Sequence, residues 1–169
     1  MASDPFEVLG VPRRFGLDGA ALAQRHRDLS RALHPDRFGD AAPTERRAAI
    51  ERAMAINESF RALRDPLTRA EALLAVHGAA LDERARPDPA MLMEVMELRE
   101  DLEAARGDAP RIESLRDAVA RRVAAEESAL VALFDADTLD GAALAKARAS
   151  VVRMKYFRRF GDEADALAG

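Results

Sequence analysis

Between Thr44 and Arg64 the apolar residues Ala49, Ala53, Ile56, Phe60 and Leu63 recur at intervals of 4, 3, 4 and 3. A helix, with about 3.6 residues per turn, gathers such positions on one side, so this stretch is expected to be a helix with a single seam to bury. Strand-favouring residues are scarce elsewhere: nine Val, three Ile and three Thr stand against 37 Ala in 169 residues. Ala, Leu, Arg and Glu dominate, and these are the strongest helix formers. The expected fold is all-α, with thin cores because so many of the apolar residues are Ala.

Punctuation divides the chain further. Asp4-Pro5 offers an N-cap followed by Pro at the first helical position, and Gly10 stops that helix after little more than a turn. Asp18 caps a second helix, with Leu22, Leu29 and Leu33 on one face, which ends at Pro35 because the residue before Pro avoids the α region. Residues 34–43 read as a loop, and the helix of Thr44–Arg64 is expected to pack antiparallel on the second helix. Asp65-Pro66 repeats the first start and opens a short helix bearing Leu67, Ala70, Leu73 and Leu74, stopped at Gly78. These four helices are expected to form one domain, residues 1–76, followed by a linker over 77–88. Asp88-Pro89 then opens a helix reaching Arg106. Pro110 begins another with Ile112, Leu115, Val119, Val123, Leu130 and Leu133, and Asp140 caps a third with Leu144, Ala147, Val151 and Met154. Short turns between three helices predict an antiparallel bundle over residues 89–169.

Several function classes are excluded or disfavoured. With no Cys, the chain has no disulfide, no thiolate zinc site, no cysteine nucleophile and no cysteine-ligated cluster of its own, and no cofactor is expected. The N-terminal residues lack a basic region followed by an apolar run, and no apolar stretch approaches the roughly 18 residues of a membrane span. A cytoplasmic protein without a membrane partner is expected. Net charge is −4 with a pI near 5.5, and the acidity is concentrated in residues 77–110. A nucleic-acid partner is therefore not expected.

Only His26, His34 and His77 could serve histidine chemistry. His77, beside Gly78, suits a helix C-terminus, where an imidazolium complements the dipole. His26 is expected to border the core. His34-Pro35-Asp36 differs, because it places an aromatic donor, a rigid turn and a carboxylate on a loop between two packed helices, and such loops concentrate binding residues. No Gly-rich phosphate loop and no zinc-hydrolase spacing accompany it, so an enzyme is not expected. The tripeptide, preceded by a helix of suitable length and followed by one bearing Ile56-Asn57 and Phe60, resembles a J-domain. That resemblance implies that His34, Pro35 and Asp36, with positive charge from Arg27 and Arg31 one turn apart, dock on a DnaK-class (HscA-like) ATPase chaperone and stimulate it. Asp28, and Arg37 in place of the common Lys, depart from the usual pattern.

Leu9 to Asp18 near the start, Ile56-Asn57 through Leu63, and Asp65-Pro66-Leu67-Thr68-Arg69-Ala70-Glu71 with Leu73-Leu74 are similar to the HscB co-chaperone family of iron-sulfur cluster assembly. Leu92-Met93-Glu94, Glu97-Leu98-Arg99-Glu100 and Leu102-Glu103 extend the similarity into the second domain. Ala72 stands where that family commonly has an aromatic. The resemblance implies that the bundle binds an IscU-like cluster scaffold.

The residues give a separate reason for a binding face. On a helical wheel Met91, Val95, Leu98 and Leu102 lie within about 60° of one another and form a seam. Leu92, Met96 and Met93 lie at about 100°, 140° and 200° from Met91, among Glu97, Glu100 and Glu103. This second stripe either meets a partner or packs within the protein, and Met favours an adaptable partner surface. On the last helix Val152, Tyr156 and Phe160 form an i, i+4, i+8 row, with capping of the bundle core as the alternative place for Phe160, and Tyr156 matches an aromatic that the family uses toward the scaffold. The expected scaffold face is Leu92, Met93, Met96, Glu97, Glu100 and Tyr156. Two other readings stay open: a J-domain adaptor for a different client, and a metal-dependent hydrolase centred on His34 and Asp36.

Overall fold

Aspartate side chains start most of the helices in the computed structural model, which describes residues 3–34, 42–82, 88–136 and 138–168. Asp4 accepts from the Phe6 N–H to open α1 (Pro5–Leu9), and Asp18 accepts from Ala20 and Ala21 to open α2 (Gly19–Ala32). Asp65 accepts from Thr68 at the start of α4 (Pro66–Val76), Asp88 from Ala90 at α5 (Pro89–Ala104), and Asp108 from Arg111 at α6 (Ala109–Phe134). Asp140 accepts from Ala143 at the start of α7 (Gly141–Ala168). Each bond satisfies a backbone donor that the first turn leaves without a partner. The exception is α3 (Pro43–Arg64), which starts on Pro43 with no side-chain cap, one residue earlier than the sequence suggested. Proline suits this position because it has no N–H to satisfy. All regular structure among the described residues is helical.

The chain divides into two compact units, Met1–Ala80 and Leu81–Gly169. In the first, α3 packs against α1, α2 and α4. Ala49, Ile56 and Leu63 of its predicted seam are buried, together with Phe6, Leu9, Leu22, Leu67, Leu73 and Leu74. Gly10 turns the chain out of α1 in the left-handed region, φ 63°, and a Cβ there would lie 2.9 Å from Arg25 Nη2. Arg25 in turn donates to the Leu9 carbonyl at 2.8 Å, so this turn is held by a residue of α2. Arg69 is the other tie. Its buried guanidinium donates to the carbonyls of Leu63 (2.6 Å) and Phe15 (2.8 Å) and lies 5.5 Å from the centre of the Phe15 ring. It joins the end of α3 to the segment between α1 and α2. His77 is the C-cap of α4, and the Ala79 N–H reaches back to the Leu74 carbonyl, which keeps the residues after α4 against the first unit.

In the second unit α6 packs along α7, and α5 lies on both. Its core combines Leu98, Leu102 and Ala105 with Ile112 and Val119 of α6 and with Phe157, Phe160 and Ala164 of α7. Here the structure decides between the two readings of Phe160. It does not continue an exposed row with Val152 and Tyr156 but is buried in the core, and so is Phe157, which the sequence did not single out. Buried positions on α7 run 147, 150, 151, 154, 157, 160 and 164. Three successive steps of three residues each fall about 60° short of a full turn, so the buried face swings around the helix toward its C-terminal half. A row extrapolated by steps of four from Val152 therefore runs into the core.

Candidate functional site

Two faces hold the residues singled out by sequence. The first is the end of α2. Its inner side is fixed by His26, whose ring stacks on Phe60 of α3 at 4.2 Å between centroids and 13° between planes. The His26 Nε2 lies 2.8 Å from Asn57 Oδ1 and 3.3 Å from Ser30 Oγ, so the imidazole borders the core and ties α2 to α3. Arg27 and Arg31 project from the exposed side. Both are engaged in a polar ladder along the helix: Arg27 donates to Gln24 Oε1, Gln24 donates to Asp28 Oδ1 at 2.9 Å, and Arg31 lies 3.8 Å from Asp28. These side chains are open to solvent, where such pairs contribute little and rearrange readily. Leu33 closes the last turn through its N–H to the Leu29 carbonyl, and His34 follows it, exposed. Pro35 and Asp36 lie outside the described residues.

The second face belongs to α5. Met91, Val95, Leu98 and Leu102 are all buried, so the predicted seam accounts for the inner side of the helix. Leu92, Met93 and Met96 are 39%, 64% and 61% exposed, and Glu97, Glu100 and Glu103 stand exposed among them. The wheel places Leu92, Met96, Glu100, Met93 and Glu97 on an arc centred opposite the seam.

Ion pairs fix the edges of this face. Arg122 of α6 donates to Glu94 at 2.6 Å on one side. On the other, Arg99 donates to Glu163 of α7 through two bonds, at 3.1 and 2.6 Å. The hydrogen bond and charge of Glu163 raise the Arg99 pKa. Val152, Tyr156, Arg159 and Glu163 follow one another at steps of 4, 3 and 4, a single stripe of α7, with Arg159 5.8 Å from the centre of the Tyr156 ring. Leu92 and Met96 precede Arg99 by seven and three residues on α5, and the half-buried Tyr156 precedes its partner Glu163 by seven on α7. The pairs that set this register, Arg99 with Glu163 and Arg122 with Glu94, were not found by sequence reasoning, because nothing local links residues so far apart in the chain.

Deeper between α6 and α7, Arg153 donates to both carboxylate oxygens of Glu126, at 2.5 and 2.9 Å, and to Ser150 Oγ. Burial alone would raise the Glu126 carboxyl, but the hydrogen bonds from Arg153 and Ser150 and the charge of Arg153 outweigh it and hold the group below its ordinary range. This pair locks the hairpin that carries the α7 stripe.

Comparison with known proteins places the fold among solved structures. Residues 87–165 match the family described as the HSCB C-terminal oligomerisation domain. A co-chaperone protein HscB homolog of Vibrio atlanticus is 44% identical over 100 residues, a match spanning 58% of this chain and 58% of that relative. The structure of chaperone HscB from Vibrio cholerae superposes with a TM-score of 0.76 at 32% identity, covering 97% of this chain and 96% of that one. The crystal structure of human co-chaperone protein HscB gives a TM-score of 0.85 at 25% identity over 97% of this chain and 81% of that chain. On the likeness to the Vibrio cholerae protein along nearly its whole length, the chain belongs to the HscB co-chaperone family.

Proposed function

We propose that this protein is a cytoplasmic adaptor of iron-sulfur cluster biogenesis that binds an IscU-like cluster scaffold, delivers it to a DnaK-class (HscA-like) chaperone and stimulates that chaperone's ATPase. In this reading His34, Pro35 and Asp36, with Arg27 and Arg31, engage the chaperone. Leu92, Met93, Met96, Glu97, Glu100 and Tyr156 hold the scaffold. Residues 77–88 link a J-domain over 1–76 to a scaffold-binding bundle over 89–169. The adaptor carries out no chemistry itself. It raises hydrolysis only to the extent that its loop interacts better with the hydrolysing state of the chaperone than with the resting one.

The observation that carries the reading is the exposed apolar stripe of α5 on a helix whose seam is already filled. A cluster of exposed large apolar side chains rimmed by carboxylates has the composition of a docking surface, with apolar anchors at the centre and charge at the rim. The test is a single-turnover ATPase assay of the cognate chaperone with this protein, with the scaffold, and with both. The adaptor reading expects modest stimulation by this protein alone and a larger effect when the scaffold is added. Stimulation without synergy points to a different client, and hydrolysis without chaperone that chelator abolishes points to an enzyme.

A further inference from the structure

Sulfur in this chain resides entirely in methionine, since there are six Met and no Cys. Of the five among the described residues, Met91 and Met154 are 7% and 3% exposed, whereas Met54, Met93 and Met96 are 57%, 64% and 61% exposed. Met93 and Met96 are three residues apart on the outer side of α5, beside Glu97 and Glu100. Oxidation of a thioether follows its exposure, so an oxidant meeting the native protein reaches these two while the seam methionine of the same helix stays covered.

We propose that Met93 and Met96 form a reversible oxidation site at which hydrogen peroxide switches off docking of the cluster scaffold, an inference that rests on the reading of this face as the scaffold face. In each event the thioether sulfur attacks one peroxide oxygen, and the S–O bond forms as the O–O bond breaks. The departing hydroxide takes up the proton of the transferred oxygen and leaves as water. Sulfur gives up two electrons, the peroxide gains them, and methionine sulfoxide and water are the products. A flexible apolar side chain has become a polar one bearing a strong acceptor oxygen. On the free surface water satisfies that oxygen. Within an interface it needs a donor, and the neighbouring Glu97 and Glu100 offer none when ionised. The cations on the two edges of this face, Arg99 and Arg122, are engaged with Glu163 and Glu94. Peroxide therefore converts two anchors into groups that resist burial, and methionine sulfoxide reductases reverse the change.

The experiment treats the full-length protein with graded hydrogen peroxide, maps sulfoxides by peptide mass spectrometry and titrates the product calorimetrically with the cluster-free IscU-like scaffold. Met93→Leu/Met96→Leu and Met54→Leu are handled in parallel, each compared with its own untreated sample. Met54, Met93 and Met96 are expected to convert ahead of Met91 and Met154. The Kd of the wild type and of Met54→Leu is expected to rise about tenfold or more, equivalent to about 1.4 kcal/mol. The treated-to-untreated ratio of the double variant is expected to stay near one, and reductase treatment to restore the wild type. Conversion of Met91 or Met154 in step with Met93 overturns the inference. So does unchanged binding with both sulfoxides present, or an equal loss in the double variant. An untreated wild type that fails to bind the scaffold overturns the reading of the face itself and the switch with it, a failure visible before any peroxide is added.

Discussion

Truncating Met93 and Met96 together to Ala separates a docking surface from a packing surface. Full burial of a Met side chain is worth about 1.5–3 kcal/mol. With 64% and 61% of these residues open, the area left for a partner corresponds to about 1–2 kcal/mol each. If both act as central anchors, the double variant loses about 2–4 kcal/mol of binding, roughly 30- to 900-fold in Kd. Folding responds differently. Only the covered third of each side chain contributes to the unit's own stability, so the cost is at most about 1 kcal/mol each, against about 2–5 for a Met truncated inside a core. In a unit of this size 1 kcal/mol moves the Tm by about 4–8 °C. Calorimetric titration with the scaffold beside thermal melts reads both quantities. Binding within threefold of wild type, or a loss that appears only together with a Tm fall of tens of degrees, refutes the reasoning.

His34→Gln should reduce chaperone ATPase stimulation by about tenfold or more while helicity and scaffold affinity stay at wild-type levels, because His34 is exposed and outside every apolar seam; full stimulation by the folded variant removes it from the chaperone face. Arg69→Leu should destabilise the first unit by about 2–5 kcal/mol in urea unfolding, since it strips the carbonyls of Leu63 and Phe15 of a buried donor. Glu126 is held below its ordinary value of 4.5 in the folded protein, so its contribution is present above that pH and disappears as pH falls through the lower folded value. Glu126→Gln should thus be less stable than wild type by about 1–2 kcal/mol at pH 7, and the gap should narrow in melts below pH 4.5.

Helix starts were legible because they are written locally: Asp4, Asp65 and Asp88 each precede a Pro, and each caps the helix read from it. The seam of α5 was legible for a related reason, since period alone assigns Met91, Val95, Leu98 and Leu102 to one side, and a straight helix of 16 residues leaves little room for drift. Over the 28 residues of α7 the same rule left Phe160 open between an outer row and the core, where the structure buries it. There the buried side is set by which neighbour lies alongside at each level, the end of α5 and the start of α6 toward the C-terminus, and that is tertiary information. The exposure of Leu92, Met93 and Met96 was an open alternative in sequence, because a wheel gives the direction of a side chain but not what covers it. Arg69 was read only as part of a motif, and its bond to the Phe15 carbonyl spans 54 residues, a separation that no local pattern encodes.

Tyr156 is the only tyrosine in a chain without tryptophan, and it stands on the edge shared by α5 and α7. Near-ultraviolet absorption and emission from a phenol therefore originate at this one place, and the entire first unit is silent in that window. A partner covering the edge changes the polarity around the ring and its stacking with Arg159, and the signal changes with it. The protein thus carries a built-in optical reporter for one of its two faces, so occupancy there can be followed without a label while events at the end of α2 leave the signal unmoved.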